Sequence, residues 1–409
     1  MKSHSLVRAL LLSWLAMALG AQAESCDFVS QPAGQGQIGR WIDRGNWLAE
    51  PHRRLTLQSA EVFMPTRQHL PAGGKPGAGQ PLADNLPVRD PLDGSQRDLA
   101  FVLDSQLRAD AVLVLRNGKL VGERYRHGYR PEQPRLLLGA TRPLLNLLGS
   151  VAIAQGAASA DKSISRLLPE LSHQASLRKL SLQRLLENNE GFTWGNDEVH
   201  DWAEQVNGGV ANPGGVRAWL AADVRWPRKL YDLPLLAAQQ SPDADLLAWA
   251  LSSVFKRPLA EAFCEQLFRR YPPQYPVHWL TDLQGNELGN GLALSLRDFA
   301  SLGQVLLDAR TAAGRSRVPG WLVESLAASS GLRTGSLPGL PKGSEVRYGF
   351  VHLGGSGSRI ALLGDSGASL LVDFDRRLVV AIYARPSVAD DRATLDGLLA
   401  VWDALGRLK

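Results

Sequence analysis

The chain has 409 residues, 44% of them hydrophobic and 21% charged, with a formal net charge of +5. That is an ordinary balance for a folded globular protein. So small a basic bias, with no basic run interleaved with aromatics, argues against a nucleic-acid partner. The eight histidines form no His-Glu-x-x-His or paired cluster, and the two cysteines, Cys26 and Cys264, fit no metal spacing. No metal or other cofactor is expected.

The first residues read as a processing signal. Lys2 and Arg8 give a positive start, Ala9 to Leu19 is an apolar run, and Ala21-Gln22-Ala23 is a small-residue cleavage site. The apolar run is shorter than the roughly 18 residues a bilayer span requires, and no later stretch approaches that length without charges or prolines. The expectation is a signal peptide over 1–23, cleavage after Ala23, and a periplasmic or secreted protein with no membrane span after processing. An oxidising compartment permits Cys26 and Cys264 to pair, and one disulfide is expected.

From Pro71 to Pro91 the sequence is loop-like, rich in Pro and Gly. Two β-type runs follow, Ala111 to Leu115 and Lys119 to Tyr125, joined at Asn117-Gly118, a strong hairpin signal because both residues tolerate positive φ. A helix is predicted from about Pro143 to Gln155, with Pro in its first turn and Gly156 at its end. Further helical patterns cover Leu182 to Leu186, Asp243 to Phe255, Leu259 to Arg270 and Leu296 to Ala309. Strands return at Ile360 to Leu363, Ser369 to Phe374 and Leu378 to Ala384, with Asp375-Arg376-Arg377 as the last turn. A final helix runs from Ala393 to Leu408. Strands at both ends enclosing a helical middle predict an α+β fold with an antiparallel sheet built from distant segments.

Several motifs, in order, resemble the β-lactamase-related serine hydrolases, particularly the 6-aminohexanoate-dimer hydrolase and esterase branch. They are Asn46-Trp47, Pro51-His52-Arg53-Arg54, Pro65-Thr66, the hairpin at Leu115 to Lys119, and Arg184-Leu185-Leu186 with Glu190-Gly191. Leu246-Leu247-Ala248-Trp249, Arg257-Pro258-Leu259, Gly291-Leu292, Leu296-Arg297-Asp298-Phe299 and Gly364 to Gly367 continue the series. The resemblance implies a penicillin-binding/β-lactamase-like fold: an antiparallel sheet with flanking helices plus a helical subdomain. It places an N-terminal extension at 24–100 and the main domain at 101–409, with a helical insert roughly over 157–300.

The resemblance also implies a Ser-x-x-Lys at the start of a central helix and a Tyr from a later loop. Serine is a weak nucleophile and needs a neighbouring base to take its proton. Counting back from Gly156, the Ser position falls on Gly139 and the Lys position on Arg142. Counting back from Leu246-Leu247, the Tyr position falls on Gln239. Gly139 has nothing to attack with, Arg142 is always protonated, and Gln239 does not titrate. The strings Ser176 to Lys179 and Ser253 to Lys256 fall where the family has scaffold. Arg333-Thr334-Gly335 comes too early for an active-site strand, and Gly364-Asp365-Ser366-Gly367 reads as a turn rather than a nucleophile elbow. Thr141 and Ser150 are the nearest hydroxyls, with helix-facing or capping roles expected. Tyr231 is expected to be an ordinary surface or core tyrosine. Trp194, Trp202, Trp219 and Trp226 sit in the insert bordering the family's cleft.

The resulting expectation is an exported, non-catalytic relative that binds a small molecule, a peptide or an envelope protein in the old cleft. Arg142 and Gln239 are its expected ligand contacts, Arg142 as an anion site. The alternative is an active serine hydrolase acting on amide or ester bonds.

Overall fold

Asn117 and Gly118 both adopt positive φ, 51° and 77°. This is the geometry that lets a two-residue turn match the twist of the strands it joins. The hairpin Ala111–Arg116 and Lys119–Tyr125 therefore closes in the register Arg116 to Lys119. In the computed structural model the described residues are 26–71, 76–77, 79–187, 196–206, 214–222, 242–311, 316–327, 340–354, 358–384 and 392–408. The expected signal peptide, Gln239, Glu190-Gly191, Tyr231, Trp194, Trp226 and Arg333-Thr334-Gly335 lie outside them.

The hairpin forms one edge of a seven-stranded antiparallel sheet. Outward from it come Leu378–Tyr383, Ala368–Asp373, Arg359–Leu363, Phe350–His352 and Glu345–Arg347. The segments are distant in sequence, as the flanking strand patterns predict. Both faces of the sheet are buried. Val379, Ala381 and Tyr383 enter one core, which the helix Leu296–Thr311 covers, while Leu378, Val380 and Ile382 enter the other with the terminal helix Arg392–Leu405. Burial on both faces explains why Leu378 to Ala384 reads as a continuous apolar run rather than an alternation.

A second, five-stranded antiparallel sheet has the order Val29–Gln31, Thr66–His69, Val277–Thr281, Glu287–Leu294, Arg135–Leu136. The segment before residue 100 thus supplies two of its strands, and the insert supplies two more, so neither is structurally separate from the rest. Cys26 and Cys264 are bonded, with Cα atoms 5.7 Å apart across a sequence separation of 238. The bridge ties the chain just before the first strand to the turn after helix Leu259–Phe263.

The helix Thr141–Ala154 packs on strand Glu287–Leu294 and against helices Pro242–Phe255 and Leu182–Leu186. All residues from Thr141 to Ala152 are buried, as suits a helix that is apolar around most of its circumference. Gly149 permits its close packing: a Cβ there would sit 2.3 Å from Leu186 Cδ2. Gly156, with φ of 71°, ends it.

Candidate functional site

The central helix starts on a 3-10 turn, Leu138–Ala140, whose first residue is strained. Leu138 has φ of 48°, a left-handed conformation that costs a non-glycine residue about 1–3 kcal/mol and concentrates at functional positions. Neighbouring bonds hold it there. Ser366 Oγ donates to Leu137 O at 2.8 Å. Arg135, wholly buried, donates to Asp110 Oδ2 at 2.9 Å, Ser366 O at 2.9 Å and Ala384 O at 2.8 Å.

The turn Gly364 to Gly367 lies against this start. A Cβ on Gly364 would fall 2.6 Å from Ala140 Cβ, so only glycine allows strand and helix to approach so closely. The approach brings Asp365 to the residue at the predicted nucleophile position. Gly139 N–H donates to Asp365 Oδ1 at 2.9 Å. The other carboxylate oxygen, Oδ2, accepts from Arg53 at 2.6 Å. The Asp365 and Arg53 side chains keep only 5% and 15% of their surfaces exposed.

Arg53 and Arg54 come from the short helix Arg53–Thr56 and diverge to different carboxylates. Arg54 Nε donates to Asp110 Oδ1 at 3.0 Å, and Asp110 also receives Arg135. The Pro51-His52-Arg53-Arg54 motif thus pins the N-terminal segment to the site through two ion pairs.

Arg142, the expected anion contact, bonds to the chain's own backbone. It is 1% exposed, donating to Asp243 O at 2.5 Å and Leu185 O at 2.7 Å. Three residues beyond Gly139, its side chain reaches two neighbouring helices, Pro242–Phe255 and Leu182–Leu186. Its fork reaches two carbonyls, one on each helix, which a lysine ammonium at the same place could not span as well. Gly139 and Arg142 are adjacent in the helix but serve different neighbours.

The other singled-out hydroxyls are occupied or sealed. Ser150 Oγ donates to Asn146 O at 2.9 Å, the back-bonding expected mid-helix. Thr141 is fully buried, and its hydroxyl has no hydrogen-bond partner among the described residues. Lys179 and Lys256, the lysines of the two Ser-x-x-Lys strings, are exposed. Trp202 Nε1 donates to Asp245 Oδ2 at 2.7 Å, and Trp219 Nε1 to Asp201 Oδ2 at 2.5 Å. Burial drives the Asp245 carboxyl up to about 6, against the lowering effects of the Gly289 and Trp202 N–H groups.

Two residues near the site escape sequence reasoning. Asp365 lies in a motif that reads as a turn, and nothing in the string identifies its partner. Tyr348 has φ of 49°; its hydroxyl accepts from Gln183 Nε2 at 2.5 Å, and its carbonyl from Asn146 Nδ2 at 2.9 Å. Burial raises its phenol above the usual range. Among the described residues no cluster of His, Cys, Asp and Glu could hold a metal ion.

This architecture is the β-lactamase and penicillin-binding-protein-like fold, and the resemblance to the related serine hydrolases drawn from the motifs holds. The chain is similar to the 6-aminohexanoate-dimer hydrolase of Paenarthrobacter ureafaciens, 25% identical over 344 residues, which cover 80% of this chain and 84% of the relative. A Bacillus anthracis structure assigned as a 6-aminohexanoate-dimer hydrolase superposes with a TM-score of 0.68 at 19% identity, covering 92% of this chain and 96% of that one. The octameric penicillin-binding protein homologue of Pyrococcus abyssi gives a TM-score of 0.52 at 14% identity, covering 74% and 75% of the two chains. No protein-family model matches the chain.

Proposed function

We propose that this chain is an exported, non-catalytic relative of the serine hydrolases that binds a ligand or a protein partner near the old active site. One observation carries the reading. The backbone N–H at the nucleophile position, on Gly139, is held by the chain's own carboxylate, Asp365. Acyl transfer needs such donors aimed at a developing oxyanion. Here the donor faces a negative charge already in place, on a residue with no nucleophilic side chain. Arg142 adds to the argument, since a buried guanidinium bonded to two carbonyls cannot accept a proton. The disulfide fits an oxidising compartment, and among the described residues no helix is long and apolar enough to cross a membrane.

The test is covalent labelling of the purified protein with a fluorescent penicillin and a fluorophosphonate. No labelling is expected, and stoichiometric labelling at any single Ser or Thr overturns the reading. The similarity to a 6-aminohexanoate-dimer hydrolase favours the second reading, an amide or ester hydrolase using another nucleophile, and that same labelled residue would identify it.

A further inference from the structure

Asp365 is placed as a bound carboxylate would be. Each of its oxygens meets a separate donor, the Gly139 N–H at 2.9 Å and the Arg53 guanidinium at 2.6 Å. The pair is largely withdrawn from water, where a charge-assisted hydrogen bond is at its strongest. The residue after it is fixed on both sides: Ser366 Oγ donates to Leu137 O, and Ser366 O accepts from Arg135. Gly364 sets the depth of the approach. Asp365 therefore reaches the two donors from a rigid turn, not from a loose loop.

We propose that Gly139 N–H and Arg53 form a small-oxyanion site that the chain fills with its own Asp365, so that external carboxylates and phosphates are kept out. The inference takes from the proposed function only that residue 139 is not a nucleophile, and it stands whether or not another residue catalyses. A tethered group competes at an effective concentration on the order of millimolar even on a flexible linker, and higher on a rigid one. A free monovalent anion must exceed that concentration to displace Asp365. Removing the Asp365 carboxylate leaves the N–H and the guanidinium facing each other with no acceptor between them, and both are then best satisfied by an anion from solution. The predicted occupant is a small carboxylate or phosphate, bound by one neutral and one cationic donor.

The experiment uses the full chain labelled with ¹⁵N-glycine, the Gly139 amide being assigned by its loss in Gly139→Ala. Acetate and inorganic phosphate are titrated against wild type, Asp365→Ala and Arg53→Ala/Asp365→Ala, with chloride at matched ionic strength as control. In Asp365→Ala the Gly139 amide should shift saturably with acetate or phosphate, and the double variant should bind about tenfold or more weakly, the effect of losing one charged hydrogen bond. Wild type should not respond at the same concentrations. A wild-type amide that shifts as readily as the variant's, no saturable shift in Asp365→Ala, or an equal response to chloride each overturns the proposal. If Asp365→Ala does not fold, hydrogen exchange of the Gly139 amide in Arg53→Ala decides. Loosening the carboxylate should speed that exchange several-fold, and unchanged exchange rejects the site. Covalent labelling is read separately, so a failure here leaves the proposed function standing and the reverse.

Discussion

Arg142→Met should destabilise the protein by about 2–4 kcal/mol. Methionine is close to arginine in length and fills similar space, so the change isolates the polar contribution from a cavity. Arg142 NH1 and NH2 donate to Asp243 O and Leu185 O, and the residue is 1% exposed. The substitution removes two hydrogen bonds from a charged donor, each worth about 1.5–3 kcal/mol. Against this, methionine buries no charge, and exchanging a buried ion for an apolar group can be neutral or stabilising when its partner is exchanged as well. Here the partners are peptide carbonyls, which cannot be exchanged, so the penalty persists. The net loss therefore sits below the sum of the two penalties. Arg142→Lys should also lose stability, by roughly half as much, because one ammonium replaces a fork that reaches two helices. Urea unfolding followed by circular dichroism measures both. A change under about 0.5 kcal/mol for Arg142→Met, the size typical of surface sites, would refute the structural role and return Arg142 to the list of ligand contacts. The result also governs reconstruction: Gly139→Ser, Arg142→Lys and Gln239→Tyr together should give a less stable protein, so recovered acylation has to be sought below its lowered melting temperature.

Reducing the Cys26–Cys264 bond, or replacing both residues with Ser, should lower thermal stability. With a sequence separation of 238 the loop-entropy ceiling is about 5 kcal/mol, and typical losses are about 2–4 kcal/mol; two free thiols in non-reduced, denatured protein would contradict the bond. Stability should carry a component that falls as pH rises between about 4 and 6. Burial holds the Asp245 carboxyl near 6 in the folded protein, against 3.8 as its ordinary value. Across that window the folded state binds the extra proton, so raising the pH costs up to about 1.4 kcal/mol per unit from this group. Asp245→Asn should reduce that slope, leaving the share of Asp298, which burial also raises to about 6, and an unchanged slope in pH-dependent urea midpoints would dismiss the assignment. Covalent probes should leave the protein unlabelled, as set out above, and mass spectrometry of the intact chain reads this directly.

The hairpin, the three strands between Ile360 and Ala384 and the longer buried helices were legible in the chain itself, while the five-stranded sheet was not. Asn117-Gly118 demands a two-residue turn with positive φ at both positions, and so names the hairpin before any tertiary contact exists. Pro143 and Gly156 bracket the central helix because one pre-sets its first turn and the other accepts the left-handed end. Continuous apolar runs named the last three of those strands, and periodic ones the long helices, since burial acts on a pattern that sequence displays. The site was a different matter. Counting from Gly156 located Gly139 and Arg142, but not what they touch. Gly139 meets an Asp 226 positions away, and Arg142 meets carbonyls, which every residue carries and no sequence distinguishes. Arg53, Asp365 and Gly139 share no periodicity and no spacing. They meet because the turn after strand Arg359–Leu363 lies against the helix start, an approach set by Gly364 and by sheet packing. Turn chemistry and apolar period are local and so written in the string. The partner of a single buried polar group depends on how distant segments pack, and only the tertiary structure decided it.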